Sequence, residues 1–432
     1  MKAGARLQAA VEVLDDIVAR HRTVATALSD WGKVHRFAGS GDRAAIGNLV
    51  YDVLRRRLSL AAQMGTDSSR ALVLAAAGRA LALSPEAIDA SADGTPHALS
   101  PLTDEERAGL LRTLDETTPP HVRADVPQWL WPSFERAFGD RAVAQGQGLN
   151  RRAPVDLRVN SMKATREKTL KALAEYGAAE TKYATLGVRI PAPEGPGRTP
   201  NVEADAAHGK GWFEVQDEGS QIAAALVCAV PRLQIMDLCA GAGGKTLALA
   251  AAMQNTGQIY AYDSDKGQLR PIFERLKRAG VRNAQVMNAG NLGELEALGA
   301  RFDAVLVDAP CTGSGTWRRR PDAKWRVTPE NLEQRLGDQH EVLRLARGLV
   351  KPGGRLVYVT CSVLPEENID QVTAFIGGAP EFSVVPYAAA WTASALATEP
   401  PASADGRTDT LQLIPADHGT DGFFIAVLQK SV

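Results

Sequence analysis

Cysteine is scarce: Cys228, Cys239, Cys311 and Cys361 are the only four among 432 residues. So few exclude a disulfide-built scaffold, and the lack of a Cys-x-x-Cys pair removes the usual zinc signature. No apolar run approaches the roughly 20 residues of a membrane span. The start, Met1-Lys2-Ala3-Gly4-Ala5-Arg6, leads into an amphipathic pattern and not into a signal peptide's apolar block. The expectation is a cytoplasmic protein, monomeric, with no metal and no membrane contact. Charge of one sign is also missing. A formal net charge of −1 argues for neither nucleic acid nor membrane, although it allows a local basic face. No internal repeat is visible. With 45% hydrophobic and 23% charged residues the composition is that of a globular protein, and the length implies two or three domains.

Patterning divides the chain into three. Residues 1–120 read as helical: Leu7, Val11, Leu14 and Val18 recur on one helix face, and Leu49, Val53 and Leu54 begin another that ends in Arg55-Arg56-Arg57. A Ser/Pro/Gly-rich loop spans Ala90 to Pro101, and Pro119-Pro120 closes the unit. Residues 121–225 mix strand and helix signals as a small α+β domain. Val155 to Val159 alternates like a half-buried strand, Thr165 to Tyr176 is a capped helix, and Pro191 to Pro200 is an exposed loop or hairpin. In residues 226–432 strands at Leu233–Leu238, Gln258–Tyr262, Ala304–Val307 and Arg355–Thr360 alternate with helices at Leu247–Met253, Leu269–Ala279 and Leu332–Leu349. That alternation predicts an α/β, Rossmann-like, doubly wound parallel sheet. Phe423 to Leu428 is a late strand at an edge, and Ala388 to Arg407 a mobile loop.

The first strand of that sheet ends in a glycine turn, Asp237-Leu238-Cys239-Ala240-Gly241-Ala242-Gly243-Gly244-Lys245-Thr246. Such a turn lets backbone approach a ligand at a helix N-terminus. A P-loop would need glycine at Cys239, and the dinucleotide fingerprint would need glycine at Thr246, so both fail. An acid at the strand end, Asp237, is typical of adenosylmethionine sites instead. Asp263 follows Gly243 by 20 residues, at the end of the next strand, where a carboxylate can accept from ribose hydroxyls. Alone, the turn could serve helix packing; with Asp263 it favours a nucleoside cofactor.

Three of the four cysteines fall in marked segments. Asp308-Ala309-Pro310-Cys311-Thr312-Gly313-Ser314-Gly315 and Thr360-Cys361-Ser362 both follow strands, and ligands of open α/β sheets bind at carboxyl strand ends. A lone strand cysteine is usually a small core hydrophobe. Two beside a methyl donor suit more demanding chemistry, because carbon 5 of cytosine cannot attack a sulfonium methyl until a thiolate adds at carbon 6. A base must then remove the carbon 5 proton so that the thiol leaves. Asp308 can hold the polar edge of the ring.

These segments, with Glu366-Glu367-Asn368 and Gly419-Thr420-Asp421-Gly422-Phe423-Phe424, resemble the RsmB/NOP/NSUN family of RNA cytosine-5 methyltransferases. Upstream, Val215 to Ser220 and Asp156 to Asn160 are similar to that family, and Asp42-Arg43 with Asn48 to Arg57 resembles the NusB-like domain of its bacterial ribosomal RNA members. The resemblance implies S-adenosyl-L-methionine as cofactor and an RNA substrate, with residues 121–225 as an RNA-recognition domain. It implies Cys361 as nucleophile and Cys311 as the cysteine that resolves the adduct, roles that spacing alone leaves open. Lys245 and Asp308 match cytosine-contacting positions. Cys239, Ala240, Gly241, Ala242, Gly243, Gly244, Lys245, Asp263, Asn288 and Asp308 match the cofactor site. Three positions depart from the pattern: Gly241-Ala242 stand where Ala-Pro is common, Asn288 where an acid is usual, and Gln268 where arginine often stands.

Trp317-Arg318-Arg319-Arg320-Pro321-Asp322-Ala323-Lys324-Trp325-Arg326 follows the Cys311 turn. Arg318, Arg319, Arg320 and Lys324 can neutralise phosphates and Trp325 can stack on a base, so this run is expected to bind RNA. Arg275, Lys277, Arg278 and Arg282 read instead as an ordinary exposed helix face. Small-subunit (16S) ribosomal RNA is the favoured substrate. Transfer RNA with the same chemistry, a non-catalytic RNA-binding assembly factor, and a DNA cytosine methyltransferase are the rivals. The last would draw its nucleophile from the Pro-Cys turn alone, which the Thr-Cys-Ser element opposes.

Overall fold

The computed structural model describes residues 1–396 and 399–432. Seven helices, from Ala3–Arg20 to Asp104–Leu111, form the N-terminal unit. Thr23, Ser68, Ser84 and Thr103 each cap a helix by accepting a backbone N–H, and Thr103 with Glu106 completes a reciprocal capping box. In the first helix Leu7, Ala10, Val13 and Leu14 face the core, packed with Ile46, Leu49, Val53 and Leu74. Val18, expected on that face, is 56% exposed. The buried stripe turns toward the alanines, whose small side chains let neighbouring helices approach closely.

Pro120 does not close the helical run; it is the first residue of another helix, Pro120–Ala124, where its missing N–H costs no bond. Helices Trp131–Phe138 and Ala142–Leu149 follow. Strands β1 (Val155–Val159), β2 (Ala179–Glu180), β3 (Gly187–Ile190) and β4 (Phe213–Val215) then make an antiparallel sheet of order β2-β3-β1-β4. Leu157, Val159, Val188, Ile190 and Phe213 fill its core. Helix Arg166–Ala172, capped by Thr165, continues into a turn of 3₁₀ helix at Ala174–Tyr176, much as the pattern predicts. The polar alternates of β1 are not in water. Asp156 accepts from Nε and one Nη of Arg189, at 2.6 and 2.7 Å, and Arg158 donates to Gln216.

The last sheet contains β5 (Gln234–Asp237), β6 (Gln258–Ala261), β7 (Ala284–Val286), β8 (Phe302–Asp308), β9 (Val350–Thr360), β10 (Phe382–Val385), β11 (Leu411–Leu413) and β12 (Phe423–Lys430). Its order is β10-β12-β9-β8-β5-β6-β7, with β11 on β12; the run from β7 to β9 is parallel. The late strand β12 is interior and not an edge: it pairs antiparallel with β9 and with β10. The helix expected over Leu269–Ala279 is two, Lys266–Leu269 and Ile272–Ala279, broken at Pro271, which has no N–H to continue the ladder. Within the expected loop Ala388–Arg407, helix Tyr387–Thr392 covers the start, and Ala397 and Thr398 lie outside the described residues. Among the described residues no helix is long and apolar enough to cross a membrane. Strand order reverses at β5/β8, so the ends of β5, β8 and β9 open on one crevice, where a doubly wound sheet binds ligands.

Candidate active site

Beyond β5 the chain turns through residues 238–243 into helix Gly244–Ala252. Gly243 has φ +82°, and a Cβ there would sit 2.5 Å from Ile272. Gly241 has φ +49° and open space where its Cβ would point. Asp263 staples the turn: one carboxylate oxygen accepts from Gly241 N–H and the other from Asp265 N–H, both at 2.8 Å. Asp237 is fully buried; one oxygen accepts from Thr246 at 2.6 Å and the other has no partner among the described residues. Burial pushes this carboxyl up to about 7. Asn288 is exposed and donates to Glu294 at 2.9 Å, so helix Leu292–Glu296 supplies an acid beside the position where the strand end has none. Gln268 turns back onto Asp265.

The two cysteines meet. Cys311 Sγ and Cys361 Sγ are 3.3 Å apart, on the segments leaving β8 and β9. The hydrogen bond with Cys361, together with burial, raises Cys311 well above the ordinary thiol range. Beside them Lys245 Nζ and Asp308 Oδ2 are 2.5 Å apart, with Lys245 nearly buried and its ammonium 5.5 Å from the Phe423 ring centre. The Cys361 turn is pinned by Thr360 to Asn368 at 2.5 Å, Asn368 to the Ser362 carbonyl at 3.0 Å, and the Ser314–Ser362 hydroxyl pair at 2.9 Å. Gly315 N–H donates to the Cys361 carbonyl, and Gly422 N–H to the Gly315 carbonyl. A Cβ on Gly315 would lie 2.1 Å from the Gly422 oxygen, so this crossing of two backbones requires glycine.

The basic run after Cys311 is not an open RNA-binding face. Trp317 is buried and stacked on Phe134, with ring centres 5.8 Å apart. Arg318 and Arg319 both pair with Asp217 and Asp421. Lys324 is buried and donates to the carbonyls of Arg55 and Asp125 and to Asn150 Oδ1, at 2.9, 3.0 and 2.6 Å. Trp325 gives its indole N–H to the Leu54 carbonyl at 2.6 Å. Lys324, Trp325 and the Arg318 carbonyl, which accepts from the Arg55 guanidinium, thus clasp the helical unit to the sheet, Arg319 is 30% exposed within its ion pairs, and Arg320 alone of the five is open to solvent. The acids that claim these cations lie about a hundred residues away, where local pattern cannot reveal them. Likewise Arg275 and Arg278, expected on an exposed face, pair with Glu214 at 3.1 and 2.7 Å, and Arg275 braces the Ala242 carbonyl at 2.9 Å.

Lys324→Ala is therefore expected to open the clasp, leaving three buried acceptors unsatisfied at about 1–3 kcal/mol each if none finds water. Limited proteolysis and thermal melting would record it as a lower midpoint with early cleavage between units. Arg320→Ala should leave both readings unchanged and lower the salt slope of RNA binding by about 1. A loss of stability there, with RNA binding intact, would reverse the assignment.

Comparison with known proteins agrees with this architecture. The family model for 16S rRNA methyltransferase RsmB/F matches residues 226–429, and that for the RsmF/B-like ferredoxin-like domain matches residues 126–194. Similar proteins include the probable ribosomal RNA small subunit methyltransferase B of Synechocystis, 33% identical over 321 residues, covering 71% of this chain and 67% of the relative. The ribosomal RNA small subunit methyltransferase B of Klebsiella pneumoniae is also 33% identical, over 70% of this chain and 66% of its own length. The chain thus spans about two thirds of these relatives. Among solved structures PH0851 covers 100% of this chain and 99% of its own, with TM-score 0.73 and 24% identity. A methyltransferase homolog protein from Pyrococcus horikoshii covers 73% of this chain and 100% of its own, with TM-score 0.58 and 27% identity.

Proposed function

Because the chain belongs to the 16S rRNA methyltransferase RsmB/F family, we propose that it methylates carbon 5 of a cytosine in small-subunit ribosomal RNA through covalent cysteine catalysis. The observation that carries the reading is the pair of sulfurs 3.3 Å apart beside the Lys245–Asp308 ion pair. S-adenosylmethionine supplies an electrophilic methyl group on a sulfonium sulfur. The residues present fit it: Asp263 is fixed with lone pairs to spare for a ribose diol, Gly241 faces open space, and Asp237 has an unpartnered buried oxygen. Cys239 to Gly244 would line the cradle, and Asn288 with Glu294 would meet the base.

The Thr360-Cys361-Ser362 element after β9, which resembles the family's attacking-cysteine segment, supports Cys361 as the nucleophile and Cys311 as the cysteine that resolves the adduct. Lys245 and Asp308 would grip the polar edge of cytosine while Cys361 thiolate adds to carbon 6. The electron pair displaced from the 5,6 double bond makes carbon 5 the nucleophile toward the methyl group. Cys361 is then a thioether. Cys311 loses its proton to solvent and as thiolate takes the proton from carbon 5. The 5,6 double bond re-forms and Cys361 leaves as thiolate.

Wild type, Cys311→Ala and Cys361→Ala, incubated with adenosylmethionine and unmodified small-subunit RNA, test this on denaturing gels. Cys311→Ala should trap an RNA–protein adduct, Cys361→Ala should form none, and wild type alone should turn over. An adduct from Cys361→Ala would exchange the two roles. Turnover on transfer RNA only would move the substrate. No adduct and no transfer on either RNA would leave a binding factor.

A further inference from the structure

We infer that Glu367 is a positioning residue that holds the Cys311 segment in register for release of the RNA, an inference that rests on the cysteine reading above. Cys311 lies in irregular chain between the end of β8 and the 3₁₀ turn Ser314–Thr316, so no ladder of backbone bonds fixes it. Its two neighbours are tied down instead. Thr312 donates its backbone N–H to one oxygen of Glu367 at 2.7 Å and its hydroxyl to the other at 2.6 Å. Gln339, from helix Pro329–Leu349, donates to the Pro310 carbonyl at 2.9 Å and to Glu367 at 3.1 Å. The residues before and after Cys311 therefore converge on one carboxyl group.

That group is costly where it stands. Glu367 is fully buried, and among the described residues no cation pairs with it. Burial pushes its carboxyl above the ordinary glutamate range. An apolar side chain would fill the space more cheaply, so what the carboxyl supplies is acceptor geometry. Its own backbone is held separately, by the Tyr358 hydroxyl on its carbonyl at 2.7 Å.

The Ser362 hydroxyl also meets the Glu367 carboxyl, but Cys361 is held as well by bonds that Glu367 does not share, Thr360 to Asn368 and Asn368 to the Ser362 carbonyl. Truncating Glu367 removes both side-chain bonds that hold Thr312 and only one contact on the Cys361 side, so it should displace Cys311 more than Cys361. Displacement of a reacting group by about 1 Å can cost on the order of 100-fold in rate. A general loss of packing would instead slow attack and release together.

The experiment compares Glu367→Ala, Glu367→Gln and Thr312→Val with wild type and Cys311→Ala, using small-subunit RNA and adenosylmethionine. Methyl turnover and the denaturation-resistant adduct are followed together. Glu367→Ala should build up adduct with turnover down at least about tenfold. Glu367→Gln keeps an acceptor for the Thr312 N–H and for Gln339, and should restore turnover to within about threefold of wild type. Thr312→Val loses one side-chain bond and should show the same split more mildly; it carries the test if Glu367→Ala does not fold. Adduct and turnover falling in parallel, or Thr312→Val indistinguishable from wild type, would overturn the inference while Cys311→Ala still traps RNA. No trapping by Cys311→Ala would remove the cysteine reading, and the inference with it.

Discussion

Asp263→Ala should weaken cofactor binding by at least about 100-fold, measured by titration calorimetry with adenosylmethionine or its demethylated product. The carboxylate has two roles. Its oxygens hold the Gly241 and Asp265 N–H groups at 2.8 Å, which shapes the turn, and its remaining lone pairs are available to a ribose diol. Charge-assisted hydrogen bonds are worth roughly 1.5–3 kcal/mol each, and two of them amount to a factor of about 100 or more. Asp263→Asn keeps one acceptor for the Gly241 N–H and should fall between the two. A loss below about tenfold for Asp263→Ala would place the ribose elsewhere. The helical unit, far from this turn in the sequence, should melt as in wild type.

Asp263 was legible in the sequence because the crevice is built from local signals. A strand, a glycine turn and an acid at the end of the next strand occupy Asp237 to Asp263, and the structure assembles them as spaced. Cys311 and Cys361 were legible for the same reason: each follows a strand whose apolar run is plain, and parallel neighbours bring strand ends together. Their separation of 3.3 Å was not legible, since it depends on Gly315 and Gly422 crossing at backbone contact. Neither was Gln339, an inconspicuous polar residue within a long helix. The interior place of β12 was hidden because β10 and β11, its further partners, are only four and three residues long.

The basic run after Cys311 shows the opposite limit. Arginines next to tryptophans look alike whether they face phosphate or a distant carboxylate, and only tertiary contacts separate the cases. Here the contact is a quartet: Arg318 and Arg319 against Asp217 and Asp421, with Asp217 also accepting from the N–H groups of Asp421 and Gly219. The first acid caps helix Glu218–Ala225, and the second precedes β12. The quartet thus ties three distant segments together immediately beside the cysteines.

Asp421→Ala should consequently be among the most destabilising single changes in the protein, by about 3–5 kcal/mol, because it leaves Arg318, only 4% exposed, and Arg319 to share Asp217 alone, with one positive charge in excess. Urea unfolding followed by circular dichroism should show the lowered midpoint, and added salt should not restore it, since buried pairs are little screened. The cause can be separated from lost packing. Arg318→Met placed in the same chain removes the excess charge, so the double variant should be more stable than Asp421→Ala alone. If the two losses simply add, the uncompensated charge is not what the quartet manages. The same change should reach the chemistry. Asp421 precedes Gly422, whose N–H donates to Gly315, and Gly315 in turn donates to the Cys361 carbonyl. Faster hydrogen exchange at Gly315 and Gly422 in Asp421→Ala, at a urea concentration where the chain is still folded, is the expected sign that fold and site share this anchor.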